Sequence, residues 1–172
     1  KDGNSFNDLL AKGIKNMNKL FEIPIRWSVH KVGFHTDIQK MYNAIQLEKC
    51  YWNYQLYLWN DSFDLDNPKS KVIKTLIYGV KSSGNQAECG LRKTAKLLEP
   101  GHERACRVIH KDIYVDDCIS GGEGPDQVRT LTDDLVNVLK QGGFDLKGIT
   151  FSGSNPLDHL SEDGESILVG GA

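Results

Sequence analysis

The first two dozen residues carry apolar side chains at helical spacing. These recur at every third or fourth position: Leu10, Ile14, Met17 and Phe21. Ser5 with Asp8 three residues later resembles a capping box, so the pattern predicts an amphipathic helix from Ser5 to about Glu22. Pro24 interrupts the pattern and predicts a second helical turn through Val29, because proline is tolerated in the first turn of a helix.

Alternating apolar and polar positions predict strands in the next part of the chain. Val32–Ile38 is predicted to form a strand that carries Asp37 near its end, and a short helix is expected over Lys40–Ala44. The aromatic-rich segment Tyr51–Trp59 predicts another strand, and its expected partner is Val72–Tyr78. A polar loop joins these two strands.

The middle of the chain predicts a turn, a helix and an acidic hairpin. Gly79 opens a polar turn, and a helical pattern then runs up to Pro100. Two short apolar runs, Ile113–Val115 and Cys118–Ile119, flank the pair Asp116–Asp117. This arrangement predicts a β-hairpin with an acidic tip.

The last part of the chain predicts a helix and a strand. An amphipathic helix through Val128–Val138 is stopped by Gly142–Gly143, and Phe144–Ser152 follows as a strand. A further strand is expected to begin at Ile167–Val169. The whole order of elements is that of an α+β fold rather than a strict alternation of strands and helices.

Composition and charge narrow the choice of function. A chain of 172 residues suits one domain. Its net charge of −2 provides no overall basic surface, which counts against nucleic-acid binding.

The four cysteines are far apart, so we expect reduced thiols in an intracellular compartment rather than a zinc site or a disulfide framework: Cys50, Cys89, Cys106 and Cys118. No apolar run approaches the roughly 20 residues of a membrane span, and the absence of an initiating methionine suggests a piece of a longer protein.

The candidate chemistry lies in acidic residues that are far apart in sequence. Asp37 at the end of one strand and Asp116 at a hairpin tip can converge at one sheet edge, where two carboxylates can hold two magnesium ions about 3.5–4 Å apart for phosphoryl transfer. Asp117 ranks below Asp116, because successive strand residues point to opposite faces. The alternative is an ordinary polar turn at Asp116–Asp117 and a helix N-cap at Asp37.

Four short motifs resemble those of reverse transcriptases and occur in the order of that family. Tyr114–Asp117 spells the YVDD form of the aspartate motif, and Asp37–Tyr42 resembles the first aspartate motif. Gly79–Ser83 resembles the glycine-containing motif, and Gly142–Lys147 resembles the later motif. The spelling is most similar to the Bel/Pao class of LTR retrotransposons, and the resemblance extends from about residue 5 to residue 169.

The resemblance implies a set of metal ligands. Asp37 and Asp116 correspond to the metal-binding acids, with Asp117 as the third acid, and Ile38 is placed with the metal ligands. The implied cofactor is a pair of Mg²⁺ ions, for which Mn²⁺ can substitute.

The resemblance also implies contacts with nucleotide and primer. Tyr42 corresponds to the aromatic steric gate that excludes a 2′-hydroxyl, and Gly79 to the backbone that approaches the incoming nucleotide. Lys147 is placed as a proton donor to pyrophosphate, with a solvated strand lysine as the alternative. The residues implied at the primer and template are Tyr114, Val115 and Lys81.

The implied protein is a fingers/palm fragment of an RNA-directed DNA polymerase, with an antiparallel sheet backed by helices. Its fingers would precede residue 1 and its thumb would follow residue 172, so the isolated fragment is expected to be weak or inactive. The expected partners are an RNA or DNA template-primer, deoxynucleotides and the RNase H and integrase of the same polyprotein. The expected location is the cytoplasm or virus-like particles.

Three positions depart from the family pattern. Tyr78 stands where many retroviral enzymes have glutamine, Gly84 replaces a frequent proline, and Gly148 stands where Bel/Pao elements often have tryptophan. Two other functions therefore stay open. One is another palm-type nucleotidyl transferase or cyclase, and the other is a degenerate or domesticated palm that serves as a non-catalytic nucleic-acid-binding or protein-binding scaffold.

Overall fold

The structure, a computed structural model, describes residues 3, 5–60 and 67–152. Its strands, in chain order, are β1 Val32–Gln39, β2 Leu56–Trp59, β3 Lys69–Val72, β4 Ile113–Tyr114, β5 Asp117–Gly122 and β6 Asp145–Phe151. Its α-helices are α1 Phe6–Leu9, α2 Glu22–Trp27, α3 Met41–Ala44, α4 Ser83–Leu98, α5 Glu103–Lys111 and α6 Pro125–Gln141, with a 3₁₀ helix over Lys49–Gln55. The fold is of the α+β class, as the order of sequence patterns predicts.

A four-stranded antiparallel sheet organises the fold, in the order β4-β5-β1-β6. Strand β1 lies inside the sheet, and its residues alternate between two faces. Phe34, Thr36 and Ile38 are buried on the face that packs against the helices, whereas His35 is exposed and Asp37 is partly exposed on the other face. The sheet therefore has one packed face and one open face, and Asp37 belongs to the open face.

The helices form the second layer. The long helices α4 and α6 contribute apolar positions that are fully buried, among them Ala87, Leu135 and Val138. They pack against the apolar face of β1 and against Phe144 in one continuous core. None of the described helices is both long and apolar enough to cross a membrane.

The predicted helix over residues 5–22 is wrong, since only Phe6–Leu9 is helical before α2. Gly13 has a φ of 83°, a conformation that interrupts a right-handed helix. The main chain beyond α1 is bound by side chains of α4 instead: the Asn85 amide donates to the Ile14 carbonyl, and Arg92 Nη2 donates to the Asn16 carbonyl at 2.7 Å. The second helical turn predicted after this segment is confirmed by α2.

The predicted strand over residues 51–59 is half wrong. Its first part is the 3₁₀ helix, in which residues three apart are eclipsed, and Tyr51 and Tyr54 accordingly line the same pocket. Its second part is β2, whose partner is β3 rather than the predicted Val72–Tyr78. All four residues of β2 are exposed, so burial imposes no alternation that would have fixed the register.

The remaining elements agree with the prediction except for α5, which the sequence reasoning missed. The predicted β1, the short helix after it, α4, the acidic hairpin of β4 and β5, α6 and β6 are all confirmed within a few residues. The strand predicted at 167–169 and the tip of the predicted loop at 60–70 lie outside the described residues.

Candidate active site

The three predicted acids meet where β1 and β5 pair. Asp37 and Asp117 are direct antiparallel partners, so their side chains share the open face of the sheet. The Ile38 main-chain N–H donates to the Asp116 carbonyl oxygen at 2.8 Å, which ties the turn before β5 to the same point of β1. Acids that are about eighty positions apart in the chain are thereby brought together.

The turn that carries Asp116 has an uncommon backbone. Tyr114 pairs with Asp117, so Val115 and Asp116 form a two-residue hairpin loop. Val115 has a φ of 59°, whereas the φ of Asp116 is not positive. A positive φ at only the first loop residue is the pattern of a type II′ turn, in which that residue is usually glycine. A β-branched residue with positive φ is a genuine conformational outlier, and such outliers concentrate at functional sites. The hydrogen bond from the Ile38 main chain to Asp116 anchors this turn to the sheet.

The surroundings of Asp37 perturb its titration. Its pKa is raised, first because partial burial disfavours the charged carboxylate and next because Asp116 and Asp117 are negative neighbours. Lys147 and His35 oppose this rise only in part. Bringing the acids together is thus unfavourable unless a proton or another cation is bound among them.

The donor set fits a divalent cation. Asp37 Oδ1 is buried and has no hydrogen-bond partner within the described residues. A buried oxygen of this kind calls for an explanation such as a bound ion. Across residues 3, 5–60 and 67–152, no three His, Cys, Asp or Glu side chains already converge as a preformed metal cage. Magnesium does not require one, because it binds through one or two carboxylates and completes its shell with water and phosphate.

His35 belongs to the site and was missed by the sequence reasoning. Its Nε2 lies 3.0 Å from Asp117 Oδ1, and both side chains are about half-exposed. His35 precedes Asp37 by two residues in an alternating strand, and this spacing could have placed it on the same face. Asp117 therefore has a polar partner on its own sheet.

On the other side of β1, a β-bulge in β6 places Lys147 opposite Asp37. Thr36 pairs with Ile149 but Asp37 pairs with Lys147, so Gly148 is the extra residue. Gly148 has a φ of 49°, which favours glycine. The departure from the family pattern at this position thus has a structural reason.

The predicted steric gate Tyr42 lies beside the acids. Its ring packs against the ring of Tyr78, with centroids 4.4 Å apart and planes at 55°. The pKa of Tyr42 is raised by burial, and further by the negative charge of Asp116 and by Tyr78. A Cβ added to Gly84 at the start of α4 would lie 3.6 Å from the Tyr42 hydroxyl. Tyr42 is therefore positioned between the hairpin tip and the beginning of α4.

The Gly79 turn is held by a residue that the sequence reasoning did not single out. Asn7 of α1 donates through Nδ2 to the Gly79 carbonyl at 2.9 Å and accepts the Lys81 main-chain N–H at 2.7 Å. Gly79 has a φ of 85°, so any other residue there would be strained although space is available. Lys81 Nζ approaches the Asp8 carbonyl at 3.4 Å, and its predicted contact with the template stays a prediction. No local sequence pattern signals the Asn7 contact, since its partners lie more than seventy positions away.

The comparisons with known proteins bear on the fold alone. No protein-family model matches the chain, and no curated protein matches it. Among solved structures, the chain is similar to the foamy viral protease-reverse transcriptase in complex with an RNA/DNA hybrid, with a TM-score of 0.58 and 16% sequence identity over 77% of this chain. The match covers 16% of the length of that protein. The chain has a reverse transcriptase-like fold.

Proposed function

We propose that this chain is the palm of a reverse transcriptase, which adds deoxynucleotides to a primer 3′-hydroxyl on an RNA or DNA template. The observation that carries the proposal is the pairing of Asp37 with Asp117 beneath the Asp116 tip. In a reverse transcriptase-like fold, this arrangement puts the acids of two distant motifs on one open sheet face.

The acids have one chemical task in this proposal. Asp37 and Asp116 would hold the divalent ions, with Asp117 and the main chain of Ile38 beside them. Bound Mg²⁺ would activate the primer hydroxyl and neutralise charge on the departing pyrophosphate. Asp37 offers an oxygen without a hydrogen-bond donor among the described residues. Its pKa is raised first by partial burial and next by the negative charges of Asp116 and Asp117, and a bound cation would relieve the repulsion between these charges.

Other side chains position the substrate and move protons. Tyr42, braced by Tyr78, would stand under the sugar and exclude a 2′-hydroxyl. The Gly79 turn would approach the incoming nucleotide through its backbone. Lys147 is exposed opposite Asp37 and would supply a proton to the pyrophosphate. Tyr114 and Val115 at the hairpin would contact the primer end.

The spelling of the four motifs supports a more specific origin. We place the chain in the polyprotein of an LTR retrotransposon of the Bel/Pao class, together with RNase H and integrase. The location proposed for this polyprotein is the cytoplasm and its virus-like particles.

Primer extension tests the function directly. The palm is assayed within the polyprotein to which we assign it, with magnesium and an RNA template. Asp37→Asn and Asp116→Asn should each reduce extension to background, whereas Asp133→Asn, an exposed acid on α6, should leave the rate unchanged. Full extension by either site variant would refute the polymerase assignment.

A non-catalytic scaffold is the second candidate. The contact between His35 and Asp117 favours it, because one of the three acids is already engaged by a side chain. A scaffold would show no extension in the unmodified protein, and Asp116→Asn would leave its affinity for nucleic acid unchanged. Metal-dependent extension by the unmodified protein would exclude this candidate.

A further inference from the structure

A cleft of about 440 Å³ opens between α2, α5 and the end of β5. Most of its ionisable lining residues are of the basic type: Arg26, His30, Arg104, Arg107 and Lys111. It lies at the far end of β1 from the acids. Gly121 in its wall pairs with Gly33, four residues before Asp37, which is roughly 13 Å along a strand. The cleft is thus separate from the candidate active site.

The acidic residue that lines this cleft, Asp112, is already hydrogen-bonded to its neighbours. Asp112 accepts hydrogen bonds from Arg26 Nε at 2.9 Å and from the Ser120 hydroxyl at 2.8 Å. Arg26 is fixed further by the Lys111 carbonyl and by an ion pair with Glu22 at 3.5 Å. Asp112 therefore neutralises Arg26 and leaves the other cations of the cleft uncompensated.

Three of those cations form a stripe along α5. Arg104, Arg107 and Lys111 are exposed at positions i, i+3 and i+7, on one side of the helix. Within the part of the chain that the structure describes, none of them forms an ion pair. Arg104 lies over Gly122, where an added Cβ would be 3.1 Å from Nη2. The stripe is a local excess of positive charge next to a concave surface.

The spacing of the stripe suits a chain of phosphates rather than one anion. Seven residues of helix rise about 10 Å, and one nucleic-acid strand carries a charge at about every 3.4 Å of helix axis. Three cations over this length match a short run of successive phosphates. The overall charge of −2 conceals the excess, because residues 153–172 contain Asp158, Glu162, Asp163 and Glu165 but no lysine or arginine.

We propose that this cleft binds the phosphate backbone of a nucleic-acid strand, independently of divalent metal and of the acidic residues. The choice of nucleic acid among polyanions rests on the proposed function. The cleft itself is argued from its charges and its shape. It is a second nucleic-acid contact, on the helix side of the sheet.

Salt-dependent binding tests this proposal. Anisotropy of a fluorescein-labelled 12-nucleotide DNA is measured with the full chain in EDTA, over a range of salt concentrations. Arg104→Gln together with Arg107→Gln should weaken binding at low salt and reduce the slope of log K against log salt by about 1.4, because each phosphate contact on a single strand contributes about 0.7. Arg104→Lys with Arg107→Lys should restore both.

The matched control is Lys93→Gln with Lys96→Gln. These two exposed cations have the same spacing on α4 but do not line the cleft, so the DNA affinity should not change. Unchanged binding in the arginine variant, or an equal loss in the lysine control, would overturn the proposal. Displacement of the DNA by tripolyphosphate at equal phosphate concentration would also overturn it, in favour of a small polyphosphate ligand.

The two proposals fail separately. Asp116→Asn should retain this metal-independent binding even though it abolishes extension. If the arginine variant binds normally while Asp116→Asn loses extension, the cleft proposal falls and the polymerase stands. If Asp116→Asn extends normally and the arginine variant loses binding, the reverse holds.

Discussion

Asp37 and Asp117 face each other across β1 and β5, although eighty positions separate them in the chain. Directly opposed residues with like charge destabilise a sheet. Here Asp116 adds a third negative charge from the adjoining turn. The pKa of Asp37 is raised first by its partial burial and next by these two negative neighbours. The folded chain thus carries a cost at these positions that binding of a cation would remove.

The raised pKa of Asp37 predicts a pH dependence of stability. The folded carboxylate binds its proton more tightly than the unfolded one, so stability falls as pH rises from the unfolded pKa through the folded pKa. The contribution is fully present below the unfolded pKa and is lost above the folded one. Asp37→Asn should remove this component. Urea unfolding of both proteins between about pH 3 and about pH 7 would give parallel profiles if the assignment is wrong.

Divalent metal should stabilise the folded chain at neutral pH. A ligand that binds only the folded state at ten times its dissociation constant adds about 1.4 kcal/mol. Thermal unfolding with Mn²⁺ should therefore show a higher Tm for the unmodified chain and for the Asp133→Asn control. Asp37→Asn should abolish the shift, and an undiminished shift in that variant would place the metal elsewhere.

Thr36→Val should stabilise the protein. The Thr36 side chain is 1% exposed, and its hydroxyl has no hydrogen-bond partner within the described residues, so replacing it by a methyl group removes an uncompensated burial cost of about 1 kcal/mol or more. Thr132 is the control, since it is equally buried but its hydroxyl donates to the Arg129 carbonyl at 2.9 Å. Thr132→Val should destabilise by about 1 kcal/mol. The free energy of unfolding in urea decides both, and equal effects at the two sites would contradict the expectation.

Alanine should have opposite effects at Gly148 and Gly84. Gly148 has a φ of 49° with open space around it, so the added Cβ costs about 1–2 kcal/mol through conformation alone. Gly84 is the second residue of α4 and has room for a Cβ, so alanine should stabilise that helix by at most about 1 kcal/mol. Chemical unfolding measures both changes. A neutral Gly148→Ala variant would contradict the cost expected from the positive φ at this position.

Asn7→Ala should loosen the Gly79 turn. Two hydrogen bonds to the turn are lost, at a cost of about 1–3 kcal/mol. In the primer-extension assay, the KM for deoxynucleotide should rise more than kcat falls, because the role proposed for the turn is to bind the nucleotide rather than to contact the reacting atoms. Asn7→Asp retains the acceptor for Lys81 and should be intermediate. A purely structural role would lower the unfolding free energy without changing KM.

The elements that the sequence predicted correctly are those that bury one face and expose the other. Strand β1 and helix α6 place apolar residues on one face, so their periodicity reports directly on packing. The helix predicted over residues 5–22 was wrong because Ile14 and Phe21 remain exposed. In addition, side chains of α4 bind the main chain of this segment, and no local sequence pattern indicates such a contact. The predicted pairing of β2 was wrong because none of its residues is buried, so burial does not specify which strand register is correct.

The candidate site could be predicted in part for a related reason. The acids were found because they lie in motifs with a recognisable spelling. His35 and Asn7 have no such spelling, and their roles depend on cross-strand and long-range neighbours that only coordinates provide. Asp117 lies on the same face as Asp37 because the two residues are paired in the antiparallel sheet. The alternation of side chains along a single strand does not predict this pairing.

Strand β1 serves two purposes with alternate residues. Phe34, Thr36 and Ile38 form the floor of the interior, while His35 and Asp37 face outward among the charged groups. Because interiors are close-packed, we expect a change in the volume of an interior side chain on this strand to shift the acid beside it. Under the proposed polymerase function, random mutagenesis of β1 should yield interior variants that unfold normally but have lost primer extension. Tolerance to substitution at these positions would then be set by the proposed catalysis as well as by folding.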